Sequence, residues 1–146
     1  MSKFISVIFF LQLAVFSTVL FAQSMDSVEF DQATVSVNAK TLKVEYAQSF
    51  EQRAQGLMYR ESMCGQCGML FNFKQIKQAN MWMKNTLMPL DIAFIRKDGL
   101  ITDIKAMKAH DLSTVSSSEK VQYAWEMNLG WFKENAIKVG DTVTIN

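Results

Sequence analysis

Histidine occurs once in the 146 residues, at His110, and cysteine only twice, at Cys64 and Cys67. A zinc centre built from several imidazoles is therefore excluded, and no Ser–His–Asp arrangement can be assigned from such sparse material. There is no glycine-rich phosphate loop, internal repeat, low-complexity tract or block of like charge. Fifteen basic side chains face fourteen acidic ones. That balance gives no electrostatic case for nucleic acid or an anionic membrane surface as a partner.

One long apolar run is present, at the start. Met1-Ser-Lys3 is followed by "FISVIFFLQLAVFSTVLF" and then by small residues at Ala22 and Ser24. A weakly positive start, an apolar stretch and a small-residue exit read as a secretory signal peptide over residues 1–22, with cleavage after Ser24 as the near alternative. Phe4 to Phe21 is also just long enough for a retained anchor, a reading that Ser6, Gln12, Ser17 and Thr18 weaken. The expectation is an exported chain, periplasmic or extracellular, with no stable membrane insertion after cleavage. A short N-terminal extension, 23–34, then leads into a single β-rich domain, 35–146, of a size that supports one core.

"ATVSVNAKTLKVEYA" alternates with period two and predicts two strands around a turn at Asn38, Ala39 and Lys40. In "SFEQRAQGLMYR" the period changes, with Ser49 and Gln52 forming a capping box. Phe50, Ala54, Leu57 and Met58 share a helical stripe. Gly56 inside that helix costs about 1 kcal/mol relative to alanine, which points to a close neighbour. "GMLFNF" and "NMWMK" read as short strands. "DIAFIRKDGLITDIKAM" reads as a hairpin with a type I′ turn at Asp98-Gly99. "AHDLSTVSSSEK" reads as a polar loop long enough to border a site. "VQYAWEM" predicts a strand with Val121, Tyr123, Trp125 and Met127 on one face. A helical turn at "GWFKENA" and a closing strand at "DTVTI" complete the pass. The fold class expected is mainly β, a compact barrel or sandwich with one or two short helices, and no βαβ repeats.

Two cysteines separated by two residues in an exported chain are expected to form a structural disulfide. A thiol-redox role and a Cu(I) site are the alternatives. Met63, Met69, Met81 and Met83 supply further soft donors, and Trp82 stands among them. Methionine at strand spacing ordinarily fills core, so no metal and no cofactor are expected. Asp91 and Glu126 are the carboxylates available as an acid/base pair. The bland readings are a turn cap or a Lys84 partner for Asp91, and a solvated surface position for Glu126.

The segment "WMKNTLMPLDIAF", Trp82 to Phe94, with "GLMYR" at 56–60 and "GMLF" at 68–71, resembles domain-of-unknown-function family 192 of bacteria and archaea. The resemblance runs from about Val35 to Ile145. It implies a compact, predominantly β domain, often exported, and brings no established activity. The polar positions of the family pattern fall here on Arg60, Lys84, Asn85, Thr86, Asp91 and Glu126. The cysteine pair departs from that pattern, which argues against a thiol mechanism shared by the family.

Charged groups inside apolar runs need partners, solvent or a ligand, because burying them alone costs several kcal/mol. The favoured expectation is that Arg60, Trp82, Lys84, Asn85, Thr86, Asp91 and Glu126 meet at one pocket of a noncatalytic module for a small polar ligand. The protein partner is unknown. A hydrolase-type enzyme using Asp91 and Glu126, and a Cu(I) or thiol-redox protein using Cys64 and Cys67, remain as alternatives.

Overall fold

The computed structural model describes residues 28–146, so the apolar N-terminal run read as a signal peptide lies outside the described residues. Asp31–Val37 (β1) and Lys40–Ala47 (β2) form the predicted first hairpin. The first strand thus begins at Asp31, two residues ahead of the alternating stretch and inside the segment read as an extension. Asn38 enters the turn with φ 54°, a left-handed conformation asparagine tolerates. Phe50–Gln55 (α1) follows, and its capping box forms as expected: Gln52 N donates to Ser49 Oγ at 3.1 Å and Ser49 N to Gln52 Oε1 at 2.9 Å. The helix is shorter than predicted. Gly56 ends it with φ 50°, and a side chain there would press on the Phe71 ring at 3.1 Å. The close neighbour is real, but glycine is a stop here and not an interior residue.

Gly68–Met81 (β3) joins the two strands predicted at "GMLFNF" and "NMWMK" into one, leaving Trp82 to Lys84 outside it. Lys74 has φ 60° where the pairing register breaks between Asn72 and Lys77. Leu90–Ile95 (β4) and Ile101–Met107 (β5) form the second hairpin. Its turn is not type I′. Gly99 alone is left-handed, with φ 89°, and Gly99 N donates to Arg96 O at 3.0 Å, which closes a three-residue loop. Val115–Asn128 (β6) absorbs the second half of the predicted polar loop, which shrinks to residues 108–114. Serine hydroxyls make this possible. Ser117 Oγ accepts from Ala79 N at 3.0 Å, replacing a ladder bond at the irregularity. Trp131–Glu134 (α2) and Val143–Ile145 (β7) complete the chain.

The strands form one seven-stranded sheet in the order β5-β4-β6-β3-β2-β1-β7. It curls until its edges meet at one end, through a Leu100–Thr142 bridge and a 2.8 Å bond from Val143 N to Gly99 O. The fold is mainly β, a half-barrel with two short helices. One feature was not foreseen: β2 and β3 are parallel, with α1 on the crossover. Among the described residues, no helix is long and apolar enough to cross a membrane.

Two cores flank the sheet. The inner one holds Val35, Val44, Leu70, Trp125, Met127 and Phe132; the outer one holds Leu57, Met69, Phe71, Ile92, Phe94 and Ala124. Tyr123 packs with Trp125 and Met127 as predicted, whereas Val121 belongs to the outer core, just where the register breaks. Trp125, Trp131 and Phe132 stack edge-to-face with centroids 5.0 to 5.4 Å apart.

Gly68 lets β3 approach β6 closely, since a Cβ there would collide with the Glu126 carbonyl and the Met127 sulfur. Gly65, nearby in the chain, has nothing within 4 Å of a Cβ position. Gly68→Ala should therefore lower unfolding free energy by about 1–3 kcal/mol, while Gly65→Ala should change it by less than about 0.5 kcal/mol. Urea denaturation of the two variants checks this; equal midpoints would mean that β3 and β6 are not in tight contact there.

Candidate functional site

A cavity of about 420 Å³ lies between α1 and the outer face of β3 and β6. It exists because α1 contributes no buried residue. Its apolar stripe overhangs the cavity: Phe50 is 74 % exposed, and only Leu57, beyond the helix end, packs fully. Phe71 and Phe73 form the wall on the sheet side, and Trp82, 51 % exposed, stands at the mouth.

Glu126 lines the cavity from the sheet. Pairing places it opposite Met69 on one side and Ile92 on the other, both fully buried apolar side chains. Glu126 is 4 % exposed, and among the described residues its carboxyl makes no hydrogen bond or ion pair. Burial alone pushes its pKa up to about 8. Thr86, also buried, lines the same space; its Oγ1 donates to Lys84 O at a long 3.3 Å. The loop after β5 holds this segment in place, with His110 N donating to Thr86 O and Met83 N to Asp111 O. That loop supports the site, and the lone histidine side chain is exposed beside it.

Of the seven residues expected to converge, Trp82, Thr86 and Glu126 do so, and Lys84 stands near them with Nζ 5.3 Å from the centre of the Trp82 ring. The other three have partners elsewhere. Arg60 forms a two-pronged ion pair with Glu45, its Nη2 to Oε1 bond being 3.0 Å, and lies beside Cys64 and Cys67. Asn85, held at φ 54°, donates to the Tyr59 hydroxyl at 2.8 Å. Asp91 accepts from Gly130 N at 2.8 Å, and its pKa is raised because burial outweighs that bond. The Lys84–Asp91 pair, one of the two bland readings of Asp91, does not form among the described residues.

Asp91 and Glu126 also fail to meet as an acid/base pair. Asp91 is paired with Met127, an inner-core residue, so strand alternation sends the two carboxyls to opposite faces of the sheet. Sequence reasoning missed Arg53 and Lys77, which line the cavity together with Phe50, Phe71 and Phe73. The signal was present in part: the Phe50–Met58 stripe marked a face that needed cover, but not that its cover is incomplete.

Cys64 and Cys67 are bridged to each other, with Cα atoms 5.0 Å apart, on an exposed loop tied to β6 by Asn128 Nδ2 bonding to Cys64 O at 2.9 Å. A loop this small contributes about 2 kcal/mol at most in the chain-entropy account. Met69 and Met83 are core side chains, and Met63 and Met81 pack against the same core. Among the described residues no group of three or more His, Cys, Asp or Glu side chains is placed to hold a metal.

Comparison with known proteins adds the lineage. A crystal structure from Sinorhizobium meliloti 1021, provisionally described as a transcription regulator, is 38 % identical with a TM-score of 0.77, over 81 % of this chain and 96 % of that one. A protein of unknown function from Novosphingobium aromaticivorans DSM 12444 is 27 % identical with a TM-score of 0.72, over 83 % of this chain and 89 % of its own. Comparison with curated proteins finds no match.

The buried acid has a consequence for stability. An unfolded glutamate titrates near 4.5, and Glu126 in the folded chain near 8. Between those values the folded form holds a proton that the unfolded form has released, so its contribution to stability falls as pH rises from 4.5 to 8 and is level above. Glu126→Gln removes that dependence. The variant should match the parent near pH 4.5 and exceed it by a few kcal/mol, in order of magnitude, at pH 9. Denaturation at both pH values checks this; parallel curves would mean that the carboxyl is solvated or paired. The matching family model, described as "Uncharacterized ACR", spans residues 33–145, and the chain belongs to that family, domain-of-unknown-function family 192.

Proposed function

We propose that this protein is an exported binding module that holds a small polar ligand in the cavity beneath α1 without transforming it. The observation that carries the reading is Glu126, an almost wholly buried acid with no partner among the described residues, on the wall of a 420 Å³ cavity with aromatic sides. Cavities of this size, with aromatic walls and a few convergent polar groups, suit small molecules. A carboxyl left unpaired among apolar neighbours is costly, and a ligand that bonds to it recovers that cost. Export is supported by the N-terminal pattern of the sequence and by a bridged cysteine pair, which suits an oxidising compartment.

The other readings have less to rest on. Acid/base hydrolysis by Asp91 and Glu126 lacks the shared face it requires. A Cu(I) role requires Cys64 and Cys67 as thiolates, and they are joined to each other, while a thiol-redox role could use that bridge but has only a pair that departs from the family pattern to rest on. The provisional description of the Sinorhizobium neighbour does not carry over readily, because the longest described helix has six residues and formal net charge is +1. A major-groove reading helix and a basic phosphate-binding face are the features such a role ordinarily uses.

Thermal-shift screening against amino acids, amines, carboxylates and sugars tests the proposal. A true ligand at a hundred times its Kd stabilises by about 2.7 kcal/mol. Glu126→Gln and Thr86→Val should each remove most of that shift, whereas Asp91→Asn and the double change Cys64→Ser/Cys67→Ser should keep it. A broad screen with no shift, or a shift indifferent to Glu126, would end this reading.

A further inference from the structure

The cavity wall carries charges of both signs that are not paired with one another, and that combination selects a ligand. On its wall, Glu126 meets Met69 and Ile92 across the sheet and no cation. Arg53 of α1 and Lys77 of β3 also line the cavity, and Lys84 stands beside Trp82 at the mouth. None of these three cations has a carboxylate within salt-bridge reach among the described residues. Arg53 is anchored by the carbonyls of Gln48 and Asn72, and Lys77 Nζ lies 4.8 Å from the centre of the Phe73 ring. An unpaired buried acid and two bases, Arg53 and Lys77, thus line one partly apolar cavity with no ion pair between them.

A simple organic cation would satisfy Glu126 and be repelled by the bases. A simple anion would satisfy the bases and leave the ionised form of Glu126 without a partner. Complementarity at both ends requires opposite charges on one molecule. Resting on the binding reading above, we infer that the cavity takes an elongated amphoteric small molecule, with its ammonium on Glu126, an aromatic or aliphatic body against Phe71 and Phe73, and a carboxylate or phosphate on Lys77 and Arg53.

The pairing sets a pH dependence. The groups that face Glu126 from β3 and β4 are apolar, Asp91 is on the opposite face, and Arg53 and Lys77 are the charged groups of the chamber. Burial keeps the carboxyl protonated up to about pH 8 when the cavity is empty. An ammonium binds the ionised form, so binding near pH 7 expels a proton and affinity rises by roughly several-fold between pH 7 and 9.

Titration calorimetry with three matched probes, para-aminomethylbenzoate, benzylamine and benzoate, tests the assignment. The zwitterion should bind at least tenfold tighter than either half. Lys77→Gln should reduce it to the level of benzylamine, Glu126→Gln to that of benzoate or weaker, and Lys97→Gln, on the distant hairpin, should leave it unchanged. Benzylamine or benzoate binding as tightly as the zwitterion, or affinity falling between pH 7 and 9, overturns the inference. Failure of all three probes beside a Glu126-dependent shift with a neutral ligand overturns it too, and leaves the binding reading standing. No Glu126-dependent shift with any compound ends both.

Discussion

The architecture depends on period-two alternation along β6 in the middle of the sheet. This strand is paired on both edges, with β3 and β4, and has a hydrophobic core against each face. Tyr123, Trp125 and Met127 are committed to the inner core, where Trp125 is held by edge-to-face contacts with Trp131 and Phe132. A slip of one residue would send those side chains outward and break that cluster, so the register is firmly specified. Glu126 lies between two of them. It is therefore directed at the outer face, whatever its own preference for water.

What the outer face offers an acid is decided by α1. A longer helix, packed down on its Phe50–Met58 stripe, would have filled the space over Glu126. Gly56 stops the helix after Gln55 by turning to φ 50°, and a side chain there would press on the Phe71 ring. The chain then turns through Leu57 to Tyr59, where Tyr59 N donates to Asn85 O at 2.8 Å. The result is a roof that overhangs without sealing. An acid under such a roof can remain neutral, ionise at a cost, or meet a ligand, and the fold tolerates it because the neutral state is accessible below pH 8.

The strands, the capping box, the disulfide and the mainly β class were readable in the sequence, because each is a local pattern with one physical reading. Three-dimensional neighbours were less so. The parallel β2–β3 pair follows from a crossover that a six-residue helix does not advertise. The serines of β6 looked like loop residues because their role, replacing ladder bonds at an irregularity, depends on where β3 lies. Asp91 and Glu126 both looked like available carboxylates. Only the pairing of Asp91 with Met127 and of Ile92 with Glu126 assigns them to different faces.

The polar residues of the family pattern therefore do two kinds of work. Asn85 adopts a left-handed φ and reaches Tyr59, Asp91 receives the backbone N–H of Gly130, and Arg60 is matched by Glu45. Each has a partner within the fold, and each supports the segment it belongs to. Had all of them been so matched, polar residues in apolar surroundings would mark structure alone. Glu126 breaks the series: it is the carboxyl whose surroundings are apolar on both neighbouring strands and whose open side is a cavity. A hydrophobic residue of similar volume would remove the cost of burying an acid and would pack against Met69 and Ile92. The acid is thus a liability to stability that only something outside the described fold can offset.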